Sequence, residues 1–452
     1  MLGILGLLIG LALLVTLALR GVNVILASVL CSLVVIATNG LPLADTLFQK
    51  YTFGDLGAFT FGGRFFLLFV AGAIFGRIMG ESHAATSIAM ALVGRLGPRR
   101  ALWITVIASA LLTYGGVVVF VVIFAMYPLG LRLLKEADIP KRLFCAALAL
   151  GAGTFTLTAL PGTPSIHNVI PTVRLGTDLF AGAGIGLIGG AMMFALGMWY
   201  LEWRREKAQA AGEGFVAGPH DHIPDLETIA HEQPYWGLAA IPLVLVIGTI
   251  LVPRLAALAS VGTEIPLMRF ANAQPILWPC FALMLASIVA LLLFPAVRRR
   301  PLAVVSAGTQ DAIMPLMATA AVIGFGGVVV GTAGFGEFTT AVVDSDLPPL
   351  LSMYTAVSVV SGITGSASGG LQIFMATLAD QYVAMGLDPE ILHRLVTMAS
   401  GGFDSLPHSG AIIAMLTITG LSHKEAYGDV GVITVVIPVA VTLILVAALS
   451  MM

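Results

Sequence analysis

The sequence predicts an all-α polytopic membrane protein, and three observations predict it. Hydrophobic residues fill 58% of the 452 positions and charged residues 10%, whereas a soluble domain is about a quarter charged. The apolar residues run continuously, as in LGILGLLIGLALLVTLAL (2–19) and VNVILASVLCSLVVIAT (22–38), without the alternation of barrel strands. Gly occurs 51 times, as in membrane helices whose backbones approach closely. In hydrocarbon every backbone N–H and C=O needs an internal partner, so apolar runs of this length form helices.

Spans are expected at 2–19, 22–38 and 64–80. The first lacks a basic leader and a small-residue cleavage site, so it reads as a retained span. The stretch 101–130 is flanked by RLGPRR (95–100) and by Arg132, Lys135, Lys141 and Arg142. A single crossing would put one basic cluster outside, whereas a re-entrant hairpin keeps both in the cytoplasm. An interrupted span at 144–170 and a span at 179–200 then return the chain inside at WRREK (203–207). Residues 201–235, rich in charge, Gly and Pro, read as a solvated cytoplasmic linker. Its His220, Asp221, His222 and His231 have no flanking Cys or helical His spacing, so a solvated loop is expected there rather than a metal site.

The second half repeats the order, with spans at 236–252, 276–296 and 312–334 and a second hairpin at 348–384. Acidic flanks (Asp344, Asp346, Asp388, Glu390) open that hairpin to the outside. An interrupted span at 397–420 and a last span at 430–451 complete the chain. This topology puts sixteen of the 22 Lys and Arg inside, leaving Lys50, Arg64, Arg174, Arg254, Arg269 and Arg394 outside with both termini.

The organisation is therefore two inverted repeats, 1–200 and 236–452, joined by the linker 201–235, each with a re-entrant hairpin and an interrupted transmembrane helix. TALPGTPS (158–165) in the first break answers DSLPHSGA (404–411) in the second, and TYGGVVVF (113–120) faces SGITGSASGG (361–370). Matched Gly/Pro breaks in two halves are the sequence mark of a transporter's binding site. A break at membrane depth frees backbone groups that must line a cavity or bind something.

Each broken helix presents a positive dipole end and free amides, suited to a carboxylate. Thr158, Thr163 and Ser165 stand at the first break, Ser405 and Ser409 at the second, and Thr364, Ser366 and Ser368 in the second hairpin. Gly162, Gly365, Gly369 and Gly410 let backbone approach a ligand. His167 and Asn168 follow the first break, while Asp404 and His408 sit in the second. An ionisable group at this depth is a functional candidate, so Asp404 and His408 are expected to couple a proton to transport. No Lys or Arg lies at either break, which favours a small anion held reversibly by hydroxyls and amides. Gln372 and Asp380 are secondary candidates. Arg77 and Glu337 are expected to snorkel to opposite surfaces.

The stretch GGFDSLPHSGAIIAMLTITGLSHKEAYGD (401–429) resembles the corresponding segment of the gluconate permease (GntP) family, part of the ion transporter superfamily. The resemblance extends over the whole chain in length and arrangement. It implies proton-coupled symport of gluconate or related hydroxy- and keto-carboxylates across a bacterial inner membrane, by an elevator-type movement. It also implies a homodimer, with a dimerising scaffold and a moving domain that carries both hairpins and both broken helices. By position it assigns binding to Thr163, Ser165, Ser366, Ser368, Asp404, His408 and Ser409. The chain departs from the family at the first break, where LPGTPSIHN (160–168) stands in place of the LPPHPGPT of gluconate permeases. That directs the expected substrate towards another short carboxylate.

Several classes fall away. Net charge of −2 suits no nucleic-acid partner. Cys31, Cys145 and Cys280 are far apart in apolar runs and give neither disulfides nor a metal site, and no cofactor is expected. A cation/proton antiporter is the nearest rival, with sodium the other candidate for the coupling ion. A passive channel suits paired hairpins poorly. An intramembrane hydrolase, using Ser165 or Ser409 with His167 or His408, needs a nucleophile and base within hydrogen-bond reach.

Overall fold

The computed structural model describes residues 2–218, 221, 223, 233–262 and 264–451, and every regular element among them is helical. The first half runs α1 (Leu2–Leu19), α2 (Val24–Asn39), α3 (Ala58–Glu81), α4 (Ala84–Leu96), α5 (Ala101–Tyr114), α6 (Val119–Ala137), α7 (Lys141–Gly153), α8 (Ile166–Leu175) and α9 (Ala183–Ala210). The second runs α10 (Trp236–Leu258), α11 (Pro266–Ala273), α12 (Leu277–Leu293), α13 (Pro301–Val330), α14 (Ala333–Val343), α15 (Pro349–Thr364), α16 (Ala367–Thr377), α17 (Pro389–Ser400), α18 (Gly410–Thr419) and α19 (His423–Ser450).

Among the described residues five helices are long and apolar enough to cross a bilayer, or six if α11 and α12, bent by 114°, form one span. The sequence expects eight unbroken spans. The difference lies in α1 and α2, whose apolar stretches are shorter. Three further features were not anticipated. Helix α13 begins at Pro301, α9 continues through Ala210 into the segment read as linker, and α4 and α14 follow the third span of each half. Large apolar side chains such as Leu8, Leu187, Val244 and Leu292 stand exposed on the outer surface, as lipid requires and water does not.

Packing partners are reciprocal between the halves. Helices α3 and α13 pack on one another, α2 packs on α13 and α12 on α3, and α4 packs on α10 as α14 does on α1. Helix α5 lies against α7 as α15 does against α17, and α8 meets α16 as α18 meets α6. The α3–α13 contact is tight because Gly308 lies on the α3 backbone; a Cβ there would sit 2.7 Å from Ile74 Cα.

Residues 115–118 turn α5 into α6, and Gly365–Ser366 turn α15 into α16. Helix α16 folds straight back on α15, since a Cβ on Gly370 would meet the Ser361 backbone within 2.6 Å. Both expected interruptions are present. Residues 159–165 separate the turn Phe155–Thr158 from α8, with Pro161, Gly162 (φ +79°) and Pro164 preventing continuous helix. Residues 401–409 separate α17 from α18, with one helical turn at Phe403–Ser405 and Pro407 beyond it.

Ion pairs join residues that the sequence assigns to one side. Glu81 receives Arg77 and Arg300, and Asp429 receives Arg142 and Arg204, all at the expected inner side. Arg254–Asp178 and Arg174–Asp380 hold the other side. Arg394, counted with the outer charges, makes no ion pair among the described residues and is fully buried. His220, His222 and His231 lie outside the described residues.

Candidate functional site

The two breaks and the two helix–turn–helix units meet around one cavity of about 340 Å³. Its lining contains Pro164, Ser165 and His167 of the first break, and Asp404, Ser405, His408, Ser409 and Gly410 of the second. Thr113 and Val117–Val119 come from the first helical hairpin, and Thr364 to Ser368 from the second. The opposite wall belongs to the other helices: Leu14 of α1, Leu68 and Phe69 of α3, Leu283 of α12, and Pro315 and Thr319 of α13.

Four helices begin on this cavity: α6 at Val119, α8 at Ile166, α16 at Ala367 and α18 at Gly410. The first turn of a helix leaves amides without intrahelical partners, and the N-terminal end carries partial positive charge. Ser165, Ser366 and Ser409 are the three serines preceding α8, α16 and α18. Ser165 accepts from the His167 amide at 3.3 Å and Ser366 from the Gly369 amide at 3.2 Å. The Ser409 hydroxyl has no partner among the described residues and faces the cavity. No Lys or Arg lines the cavity, and Asp404, His167 and His408 are its titratable side chains. Four positive helix ends without a basic side chain suit a small anion that must also leave.

The expected site residues divide into two groups. Ser165, His167, Thr364, Ser366, Ser368, Asp404, Ser405, His408, Ser409 and Gly410 line the cavity. Within that set the Ser405 hydroxyl donates to Asp404 Oδ1 at 3.0 Å, Ser366 and Ser368 hydroxyls lie 3.2 Å apart, and His408 Nε2 bonds the Gly362 carbonyl at 3.1 Å. Thr158, Thr163, Asn168 and Gly369 do not line it. Thr158 donates to the Thr154 carbonyl and packs on Gly401, holding the two breaks together. Asn168 pins the first break from behind, donating to the Thr163 and Leu179 carbonyls at 3.1 and 2.9 Å. The Thr163 hydroxyl is buried without a partner. Gly369 lies one turn inside α16, with its amide on Ser366.

Sequence reasoning missed Thr113 and Thr319. Thr113 lines the cavity with a buried hydroxyl that has no partner; its place in TYGG, at the hairpin turn, was the available signal. Thr319 sits within the unbroken α13, and nothing local distinguishes it. Also missed was the layer behind the first break. There Arg394 donates from Nε to the Ala181 carbonyl at 3.0 Å and from Nη2 to the Leu179 carbonyl at 3.2 Å, leaving Nη1 without a partner. His393 beside it bonds Asn168 Oδ1 at 3.1 Å and the Thr177 hydroxyl at 2.7 Å.

The start of the linker is largely exposed yet tied to the helices by ion pairs. Asp221 accepts from Lys141 Nζ at 2.7 Å and from the Tyr127 hydroxyl at 2.6 Å, and Glu213 pairs with Arg142. Hydrogen bonds from Arg142 hold the Glu213 carboxyl below its ordinary range. Burial pushes the Asp221 carboxyl up, but Lys141, Tyr127 and the Gly218 amide outweigh it and leave it lowered. Among the described residues no cluster of His, Cys, Asp and Glu could hold a metal ion.

A helical membrane protein that encloses an anion-suited cavity between helix breaks belongs to the class of membrane transporters. The sequence profile described as GntP family permease matches residues 2–452, so the chain belongs to the GntP permease family. It is 36% identical over 459 residues to the uncharacterized transporter YxjC of Bacillus subtilis (strain 168), covering 96% of each chain. The crystal structure of the Alcanivorax borkumensis YdaH transporter, described as having an unusual topology, matches 87% of each chain with a TM-score of 0.55. At 14% identity that likeness is one of fold alone.

Proposed function

We propose that this transporter is a secondary active symporter of a small organic carboxylate, a hydroxy- or keto-acid, moved with a proton. One observation carries the reading: four helix N-termini open on a cavity whose lining holds hydroxyls and a carboxylate but no Lys or Arg. Amides and Ser/Thr hydroxyls are the donors for the anion, with Ser165, Ser366, Ser368, Ser409 and Thr113 in contact with it. Asp404, on the same cavity, is the proton carrier, and His408 holds the second break against the hairpin.

The reciprocal packing of the halves supports an inverted-repeat origin, each half with one re-entrant hairpin and one interrupted span. The cavity lies between α1, α3, α12 and α13 on one side and the hairpins and breaks on the other. That division suits an elevator, in which the second group slides along the first and carries the site across the bilayer. The first group then serves as the scaffold of a homodimer in a bacterial inner membrane, with both termini periplasmic.

A cation/proton antiporter has no use for helix ends directed at an anion. Ser165 and His167 do lie within reach, 2.9 Å apart. Yet Ser165 is committed to capping α8, and no carboxylate among the described residues orients His167, so a hydrolase is disfavoured. The test is uptake by proteoliposomes offered short hydroxy-, keto- and sugar acids under an imposed pH gradient, with and without sodium. Accumulation driven by the gradient and indifferent to sodium is expected. Uptake that requires sodium and ignores the gradient overturns the proton assignment; no uptake of any carboxylate overturns the substrate class.

A further inference from the structure

Among the described residues of the helices and breaks, Glu390 of α17 is exposed to its surroundings, whereas two charged groups lie inside without counter-ions. Arg394 is fully buried, and no carboxylate among the described residues lies within ion-pair range; its partners are two backbone carbonyls, and Nη1 has none. Asp404 faces the cavity, with the Ser405 hydroxyl as its side-chain partner and the Ala367 amide near it, and no cation in range.

The groups around each leave the count unchanged. Beside Arg394, His393 accepts the Thr177 proton on Nδ1 and donates from Nε2 to Asn168, both bonds satisfied by a neutral ring. The Tyr114 hydroxyl of α5 donates to the Pro161 carbonyl, and α15 adds the neutral Tyr354. Asp178 is committed to Arg254 at 2.6 Å, and Arg174 of α8 to Asp380. Around Asp404 stand His408, bonded to the Gly362 carbonyl, and Tyr427 of α19, whose hydroxyl donates to the Ser405 carbonyl at 3.0 Å. Across the cavity is His167, matched to the Ser165 hydroxyl. The wall formed by α1, α3, α12 and α13 contributes no charged side chain.

We propose that Arg394 is a fixed positive charge whose counter-charge alternates, so that the protein moves one monocarboxylate with one proton and no net charge. This rests on the symport reading above. In the empty carrier the Asp404 carboxylate balances Arg394. In the loaded carrier the proton taken from water sits on Asp404, and the substrate carboxylate takes over the balancing role. The buried core is neutral in both forms, which are the two that must cross the membrane, where an unbalanced charge is expensive. A substrate anion bound without the proton leaves the core at −1, and that form does not cross.

The test uses purified full-length protein in proteoliposomes, with D-gluconate, D-glycerate and pyruvate as probes and potassium with valinomycin to set the membrane potential. A pH gradient at zero potential is expected to drive accumulation, and an imposed potential to change the initial rate by less than about twofold. Gradient-driven uptake that carries current overturns this inference and leaves the symport reading standing. Failure to take up any of the three probes overturns both.

Asp404→Asn gives an empty core of +1 and a loaded core of zero. It is expected to retain exchange of internal for external substrate while net uptake falls at least about tenfold; equal loss of both overturns the scheme. Arg394→Gln is expected to make uptake potential-sensitive, and Arg394→Lys to restore insensitivity. A folded Arg394→Gln protein that remains insensitive refutes the role of Arg394. If that variant does not assemble, the contrast between exchange and uptake in Asp404→Asn decides alone.

Discussion

At the scale of single residues, the site is defined by which hydroxyls the protein leaves free. Thr364 spends its hydroxyl on the Val360 carbonyl at 3.0 Å, whereas Ser409, on the cavity, has no partner among the described residues, and the Thr113 hydroxyl is buried in the cavity wall without one. A neutral hydrogen bond is worth about 1 kcal/mol, or roughly fivefold in affinity. Thr113→Val is therefore expected to raise the KM for substrate about fivefold, and Thr113→Ser to leave it unchanged, with neither altering the unfolding temperature. An unchanged KM in Thr113→Val would show that Thr113 does not touch substrate. Gly370 makes a structural prediction. A methyl there runs into the Ser361 backbone, so Gly370→Ala is expected to destabilise the hairpin by about 1–3 kcal/mol, read as thermal unfolding in detergent.

At the scale of elements, the breaks are held open from behind as much as from within. Asn168 ties the first to the Leu179 carbonyl, while His423 bonds the Pro407 carbonyl at 2.8 Å in the second. Tyr427 adds a bond to the Ser405 carbonyl. The described start of the linker is anchored through Glu213 and Asp221. Both carboxyls are lowered in the folded protein. The stabilisation they provide is complete above their ordinary values, near about 4, and is lost as pH falls through the lower folded ones. Hydrogen exchange in 211–218 is expected to stay slow at about pH 5 and to rise only below about pH 4. Lys141→Met removes one partner of a shielded pair, which costs about 3 kcal/mol and should free the segment at neutral pH.

At the scale of the molecule, the proposed function depends on one group of helices moving past another. A Cβ built on Gly76 of α3 would lie 3.4 Å from Val121 Cβ of α6, close to the separation of about 3.5–4.5 Å in a disulfide. Cysteines at both positions are expected to cross-link on oxidation and abolish uptake, with recovery on reduction. The three native cysteines are buried and leave the readout clean. Undiminished uptake by the fully cross-linked protein would exclude sliding at this interface.

The sequence by itself determined the class, most of the helices and the two interruptions, because lipid allows few alternatives. Continuous apolar runs must be helices there, and Pro161, Gly162, Pro164 and Pro407 leave no way to continue one. Residues beside those breaks, such as Ser165, Asp404 and Ser409, were legible for the same reason. Tertiary structure alone decided which of these residues line the cavity and which are buried behind it, separating Ser165 from Thr163 two positions away. It also buried Arg394 in the interior, which a count of charges by membrane side does not reveal. Side-chain direction and burial at a break depend on what packs against it from the other half of the chain, hundreds of residues away, and no local pattern carries that information.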